Sequence, residues 1–342
     1  MKGLLDISPE LAPVAELIAA GLVRVVHVFD RALLTDLPPV EQLCRHVESY
    51  RGKMLRPALV MVCGAAAHPR AGRAPLGSLL SGAHDVLGAV VEMVHMATLV
   101  HDDVLDEADM RRRGQTVNRL HGNETAVMLG DFLIASAFHL CSTLDSQRYS
   151  LAVGRASAVL CAGELLQLHH REDFSLDEPT YFELVDRKTA ELIACACEIG
   201  AAASGAPDEA VAACERFGRR VGVAFQIQDD VLDLTGSVAT VGKSVGKDLE
   251  KGKATLPLIH HLASAEPSLR GRTLMLLEAA ANDQGAAGQV RAALESTGSL
   301  AYAKQVAGRL VEEAKTAAMT LQPSEARAML LAMADAVITR EH

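Results

Sequence analysis

Apolar residues recur every three or four positions along almost the whole of this 342-residue chain, and no run of strict alternation bounded by hairpin turns interrupts them. That periodicity predicts an all-α protein. Helices are expected over roughly 9–33, 38–50, 54–68, 77–106, 123–143, 147–171, 178–204, 207–235, 255–264, 268–282, 286–296, 299–318 and 323–340. The breakers are Pro38-Pro39, the stretch HPRAGRAPLG at 68–77, the Gly205-Ala206-Pro207 turn and a glycine-punctuated, lysine-rich loop from Gly236 to Lys253. A hydrophobic fraction of 49% with 22% charged residues suits a large helical core, and the expectation is one bundle-like domain over residues 1–342.

The net charge of −10 argues against a nucleic-acid partner, which needs a basic face. The start MKGLLDISPELAPVAELI carries acids and a proline where an export signal needs a basic flank and an apolar run, so a cytoplasmic location is expected. With no stretch of about 20 uninterrupted apolar residues, no transmembrane segment is expected. Seven cysteines match neither a disulfide framework nor a metal-finger spacing, and reduced core thiols are expected. Cys195 and Cys197 point about 200° apart on a helix, which excludes a shared ion.

One short segment occurs twice: Asp102-Asp103-Val104-Leu105-Asp106 returns as Asp229-Asp230-Val231-Leu232-Asp233. On a helix, Asp102 and Asp106 lie one turn apart on one face, as do Asp229 and Asp233. Such like charges repel, and a hard divalent cation held through one or two carboxylates plus phosphate oxygens relieves the repulsion. A single cluster would be read as a solvated helix end. Two identical ones, each after an apolar helical run (EMVHMATLVH and VGVAFQIQ), suit a metal clamp on a diphosphate. Cations accompany them: Lys53 and Arg56 at the start of a helix, and Arg111-Arg112-Arg113 after the first cluster. Together they describe a site for two diphosphates.

These residues resemble the trans-isoprenyl (polyprenyl) diphosphate synthases, and most of all the long-chain members of octaprenyl and heptaprenyl type. The motifs run in order from about Gly52 to Pro257: GKMLRP, HDDVLDEADMRRR, GDFL, GELLQL, Lys188-Thr189-Ala190, FQIQDDVLD and GKxxGKDxxxGKATLP. The resemblance implies a helical bundle around a deep cavity, a homodimer, and two or three Mg²⁺ ions. It implies that Asp102, Asp106 and Asp229, with Asp103, Asp230 and Asp233 in support, are the Mg²⁺ sites for an allylic diphosphate. It also implies that Arg111, Lys188 and Lys243 contact that substrate, and that Lys53, Arg56, His95 and Arg112 bind isopentenyl diphosphate. Thr189 and Gln226 match positions beside the reacting carbons, and Lys253 matches the closing loop. The sequence departs from the family in one place, where Arg113 precedes Gly114 instead of the glycine following two arginines directly.

The helix entering Asp102 carries Ala97 and Thr98 where the family's short-chain members place a Phe or Tyr floor. One helical turn of about 5.4 Å is close to one isoprene unit, so small residues there leave room for further additions. Met93 and Val94 form the next layer, and Phe132 or Phe138 on a facing helix could close it. A long-chain product of roughly six or more units is expected, with a short-chain (farnesyl or geranylgeranyl) synthase or a partner subunit of a heteromeric synthase as alternatives.

Two rivals fit less well. A di-iron bundle would use Glu92-x-x-His95, but a second Glu-x-x-His is missing from the chain. A terpene cyclase would need aromatic walls, and this chain has no Trp and only 3% aromatic residues. His169-His170 and His260-His261 are read as surface or core residues, since helical neighbours point about 100° apart.

Overall fold

The computed structural model describes residues 9–112, 114–171, 173–235, 247–280 and 284–340. Lys243, Arg113 and most of the loop after Thr235 lie outside the described residues. The helices are α1 (Ala12–Ala32), α2 (Pro38–Glu48), α3 (Leu55–Ala67), α4 (Gly82–Leu105), α5 (Val117–His121), α6 (Asn123–Ser142), α7 (Gln147–His169), α8 (Glu178–Val185), α9 (Glu191–Ala203), α10 (Asp208–Thr235), α11 (Lys247–Glu250), α12 (Leu256–Ser264), α13 (Pro267–Ala280), α14 (Gln284–Ser296), α15 (Ser299–Met319) and α16 (Glu325–Thr339). The predicted helices recur with ends moved by up to five residues. Two elements escape the periodicity because they are shorter than two turns: α5 and α11. So does a minimal antiparallel pair of β1 (Met110–Arg111) and β2 (Gly114–Gln115), in which Arg111 faces Gly114.

The chain divides into two compact units, each built from separate segments. The first comprises Met1–Ser157, Leu192–Glu215 and Ala318–Leu330. At its centre α4 packs against α1, α3 and α6. The reason is legible in α1, where Val14, Ile18, Val25 and Phe29 are fully buried at helical spacing. Each such side chain contributes about 1.5–3 kcal/mol by leaving water. On α3, residues 57–67 are all buried. Gly200 on α9 allows the close approach, since a Cβ there would lie 2.2 Å from the Val60 carbonyl oxygen. Cys63, Cys197 and Cys214 meet inside this unit, and burial pushes the Cys63 thiol far up, so it stays an unreactive core group. All seven cysteines are free thiols.

The second unit comprises Ala158–Glu191, Arg216–Ala317 and Leu331–His342. Leu234 of α10, Leu249 of α11, Leu258 of α12, Leu277 of α13, and Val290 and Leu294 of α14 form one of its clusters. Of the two histidine pairs, His261 is buried between the hydroxyls of Thr297 and Thr273, and His170 pairs with Asp173 at 3.0 Å.

The expectation of no membrane-length segment rested on uninterrupted apolar runs, and the helices correct it. By length and average composition, Pro9–Ala32, Gly82–Leu105, Asn123–Ser142 and Gln147–His169 are each apolar enough to cross a bilayer, because alanine-rich helices tolerate one or two charges in such an average. Two-thirds of the α4 window is buried inside the protein, so its apolar length serves packing.

Candidate active site

In the first unit, the basic and acidic residues gather at the C-terminal half of α4. That helix starts at a capping box in which the Ser81 N–H donates to His84 Nδ1 at 3.0 Å. It ends just after Asp102 and Asp103, with Asp106 as its C-cap. Asp102 and Asp106 are half-buried one turn apart, and the Asp106 N–H donates to the Asp102 carbonyl at 2.8 Å. Beyond them the chain is knitted down: Ala108 N–H donates to the Asp103 carbonyl at 2.9 Å, and the Thr116 hydroxyl and Asn118 amide both donate to the Ala108 carbonyl.

Asp103 has a different place from its neighbours. It is buried, and Arg111 of β1 donates to both its carboxylate oxygens, with Nε at 2.9 Å from each and Nη2 at 2.8 Å from one. It therefore orients Arg111. Arg112 has φ +55°, a left-handed conformation costly for an arginine, and its Nη1 donates to the Arg51 carbonyl. Gly52 makes room for it: a Cβ there would lie 2.3 Å from Arg112 Nη2. The same turn holds the exposed Lys53 and then Met54 at φ +54°, which launches α3 with Arg56 in its first turn.

These cations surround two groups on α4. Burial raises the Glu92 carboxyl above its ordinary range, opposed by Arg56, Arg51 and Arg112. Burial, then the charges of Arg56, Arg111 and Arg112, holds His95 well below its usual range, so the imidazole stays neutral and can donate one hydrogen bond without adding charge. Burial also lowers Arg56. The Nε atoms of Arg51 and Arg56 are buried without a hydrogen-bond partner, which is what a bound anion would supply. Nearby on the same helix, Met93, Val94, Met96 and Ala97 are buried, while Thr98 is half-buried and donates to the His95 carbonyl at 2.8 Å. Phe132 and Phe138 are half-buried on α6, which packs against α4.

In the second unit, a cavity of ≈ 130 Å³ is lined by Lys188, Thr189, Gln226, Asp230, Asp248 and Lys253, among others. Lys188 and Thr189 sit in a π-helical turn, Asp186–Ala190, that joins α8 to α9. One extra residue in a helical turn costs hydrogen-bond geometry, and such turns cluster at functional sites. Arg219 of α10 holds this one at both ends, donating to Asp186 at 2.9 and 3.0 Å and to Glu191 at 2.8 Å. Gly163 on α7 lets the turn approach, since a Cβ would lie 2.9 Å from the Lys188 backbone nitrogen. Lys188 Nζ then pairs with Glu164 at 2.5 Å.

A chain of hydrogen bonds follows. The Thr189 hydroxyl donates to Gln226 Oε1 at 3.0 Å, Gln226 Nε2 donates to Asp230 Oδ1 at 2.9 Å, and the Tyr181 hydroxyl donates to Asp230 Oδ2 at 2.6 Å. Burial and the neighbouring Asp248 push Asp230 up to about 8 despite these donors. Asp229 is only half-buried and pairs with Arg340. Asp233 accepts from the Asp248 N–H at 3.0 Å, and Lys253 Nζ lies 3.9 Å from Asp248.

Among the described residues, no three His, Cys, Asp or Glu side chains converge into a ready-made metal cage. Mg²⁺ does not need one, as it keeps waters and substrate oxygens around one or two carboxylates. The hard carboxylate oxygens of Asp102, Asp106 and Asp229 are of the type it takes, although Asp229 Oδ1 is engaged by Arg340, and both oxygens of Asp103 and Asp230 are engaged by Arg111, Tyr181 and Gln226. The sequence motifs gave no role to Arg51, Tyr181, Asp248 or Arg340. Glu164 lay inside the quoted GELLQL motif and Glu92 in the rejected di-iron half-signature.

Helices throughout but for one two-residue β pair, aspartates at two helix ends and a nest of guanidiniums define an enzyme of the all-α isoprenoid synthase fold. The polyprenyl synthetase family model matches residues 38–296, and the chain belongs to that family, as a trans-polyprenyl diphosphate synthase that transfers prenyl groups. It is 31% identical to octaprenyl diphosphate synthase of Escherichia coli over 331 residues, 97% of this chain and 99% of that one. It is also 34% identical to a short chain isoprenyl diphosphate synthase of Methanothermobacter thermautotrophicus, over 91% and 94% of the two chains. A crystal structure of a polyprenyl synthase from Caulobacter crescentus, complexed with calcium and isoprenyl diphosphate, superposes with a TM-score of 0.86 at 30% identity, covering 97% of this chain and 98% of that one.

Proposed function

We propose that the protein condenses an allylic diphosphate with successive isopentenyl diphosphates to give an all-trans, long-chain polyprenyl diphosphate. The observation that supports the isopentenyl site is the set of Arg56, Arg111 and Arg112 around a neutral His95, with Arg51 acting on Glu92 one turn away and the buried Nε atoms of Arg51 and Arg56 lacking partners. There Arg56 and Arg112 bind the diphosphate with His95, and Lys53 closes on it from the exposed turn. In the first unit Asp102 and Asp106, and in the second Asp229 with Asp233, are the carboxylates that would hold divalent ions for the allylic diphosphate. Bound Mg²⁺ supplies positive charge to the departing pyrophosphate. Arg111, held by Asp103 in the first unit, and Lys188, held by Glu164 in the second, are the protein cations that would contact the allylic diphosphate. Lys243 and Lys253 extend this set from the loop.

The allylic carbon–oxygen bond breaks, the isopentenyl double bond attacks the cation, and a proton leaves to the released pyrophosphate. Thr189 and Gln226, fixed in one hydrogen-bonded chain with Asp230, orient polar atoms beside the reacting carbons, and water is excluded so that the cation is not hydrolysed. Ala97 and Thr98 leave the first turn of α4 open to the growing tail, with Met93 and Val94 beneath. The protein works as a homodimer in the cytoplasm, where its seven unpaired thiols stay reduced.

Incubation with farnesyl diphosphate, excess isopentenyl diphosphate and Mg²⁺ tests this, with products sized by mass spectrometry. Chains of about six or more units, abolished by a chelator and shortened by Ala97→Phe, are expected. Wild-type products of three or four units would overturn the long-chain assignment, and no product from the isolated protein would favour a heteromeric subunit.

A further inference from the structure

Arg340, just beyond α16, docks on the motif FQIQDD of α10 through both its side chain and its backbone. Its guanidinium lies over the Phe225 ring, with Cζ 3.9 Å from the centroid. Nη2 donates to the Phe225 carbonyl at 2.9 Å and to Asp229 Oδ1. The Arg340 carbonyl accepts from Gln228 Nε2 at 3.5 Å. Phe225 and Asp229 are one turn apart on the same helical face, so one planar cation covers a ring, a carbonyl and a carboxylate at once. A lysine has neither the plane nor the fork to do this.

We infer that Arg340 is the resident counter-ion of Asp229 and that a divalent cation and this guanidinium compete for the same carboxylate oxygen. The inference rests on the proposal that Asp229 is a metal ligand. A guanidinium at that oxygen neutralises the charge a cation seeks and occupies the lone pairs it would use. The stack on Phe225 and the bond to its carbonyl keep the arginine beside Asp229 even when the carboxylate is taken, so the pairing can re-form when the ion leaves. Arg340 thus sets how tightly the second acidic cluster takes up metal and returns its carboxylate to a paired state afterwards. It is a positioning residue, since its action on the reaction runs through Asp229.

The test is Mn²⁺ affinity, read by titration calorimetry and by the paramagnetic resonance of bound ion, for the wild-type protein and for Arg340→Gln, Arg340→Lys, Asp229→Asn and the Asp229→Asn/Arg340→Gln double variant. Loss of a half-exposed pair of this kind tightens the Asp229-dependent site about fivefold in Arg340→Gln. Arg340→Lys should fall between the two, and the double variant should match Asp229→Asn. An arginine with only a structural role would loosen the site or leave it unchanged, which is the opposite sign. Unchanged or weaker Mn²⁺ binding in Arg340→Gln, with Asp229→Asn clearly weakened, overturns the counter-ion role alone. Unchanged binding in Asp229→Asn overturns the metal role of Asp229 and this inference with it.

Discussion

Asp103 shows how far a side chain's role can depart from that of its neighbours one and three positions away. Letter by letter it belongs to the repeated cluster, yet it is buried and spends both oxygens on Arg111, a partner eight residues on. Removing one member of a buried ion pair leaves the other charged and uncompensated. Asp103→Asn should therefore cost about 3 kcal/mol in urea unfolding, and a cycle with Arg111→Met should recover much of that loss. His95 gives a pH signature of known sign. Its folded pKa lies below the unfolded value, so on acidification from pH 7 the unfolded chain takes up a proton that the folded one refuses. Stability should fall as the pH drops through the ordinary histidine range, and His95→Gln should flatten that slope in denaturation curves recorded between pH 5 and 7. The motif residues were legible because their spacing is local and their chemistry repeats. Tyr181 and Arg340 were not, since they meet their partners across 49 and 111 positions and no local pattern encodes that meeting.

At the level of elements, the helices announced themselves by period, while their interruptions did not. The predicted helix over 178–204 is two helices joined by the π-helical turn, and nothing in DRKTA signals the extra residue. Its supports are distributed: Arg219 binds Asp186 and Glu191 from α10, and Gly163 yields space from α7. Gly163→Ala places a methyl 2.9 Å from the Lys188 nitrogen, against backbone that cannot swing aside. It should cost about 1–3 kcal/mol and lower kcat at least tenfold, because Lys188 and Thr189 move together. A larger effect on KM than on kcat would place the turn outside the chemical step. The predicted start of α4 at 77 missed by five residues, because Leu76–Ser78 forms a 3₁₀ turn and Ser81 caps the helix proper. The left-handed backbones of Met54 and Arg112 were equally hidden, as neither residue type favours them.

For the molecule as a whole, the class of fold and its chemistry followed from period and motif, whereas assembly is written in exposure. Leu120, Val127, Met128 and Leu151 lie on the surface of α5, α6 and α7 in the first unit, 45%, 42%, 65% and 63% exposed. Large apolar side chains left to solvent suit the contact with a second copy that the proposed homodimer requires. Met128→Lys combined with Leu151→Lys should convert a dimer to a monomer in light scattering, with the helical circular dichroism unchanged; a dimer that persists would move the interface elsewhere.

The π-helical turn has a consequence for how this sequence can change over time. An added residue rotates everything beyond it by about 100° relative to everything before, so Lys188 and Thr189 owe their aim to a single position in the length of the chain. A chain that lost Arg187 would keep Lys188, Thr189 and every helix, and still turn both of them away from the cavity they share with Gln226. The length of that segment therefore carries as much of the site as its letters do, and a transplant of the motif into another helix would have to carry the irregularity with it.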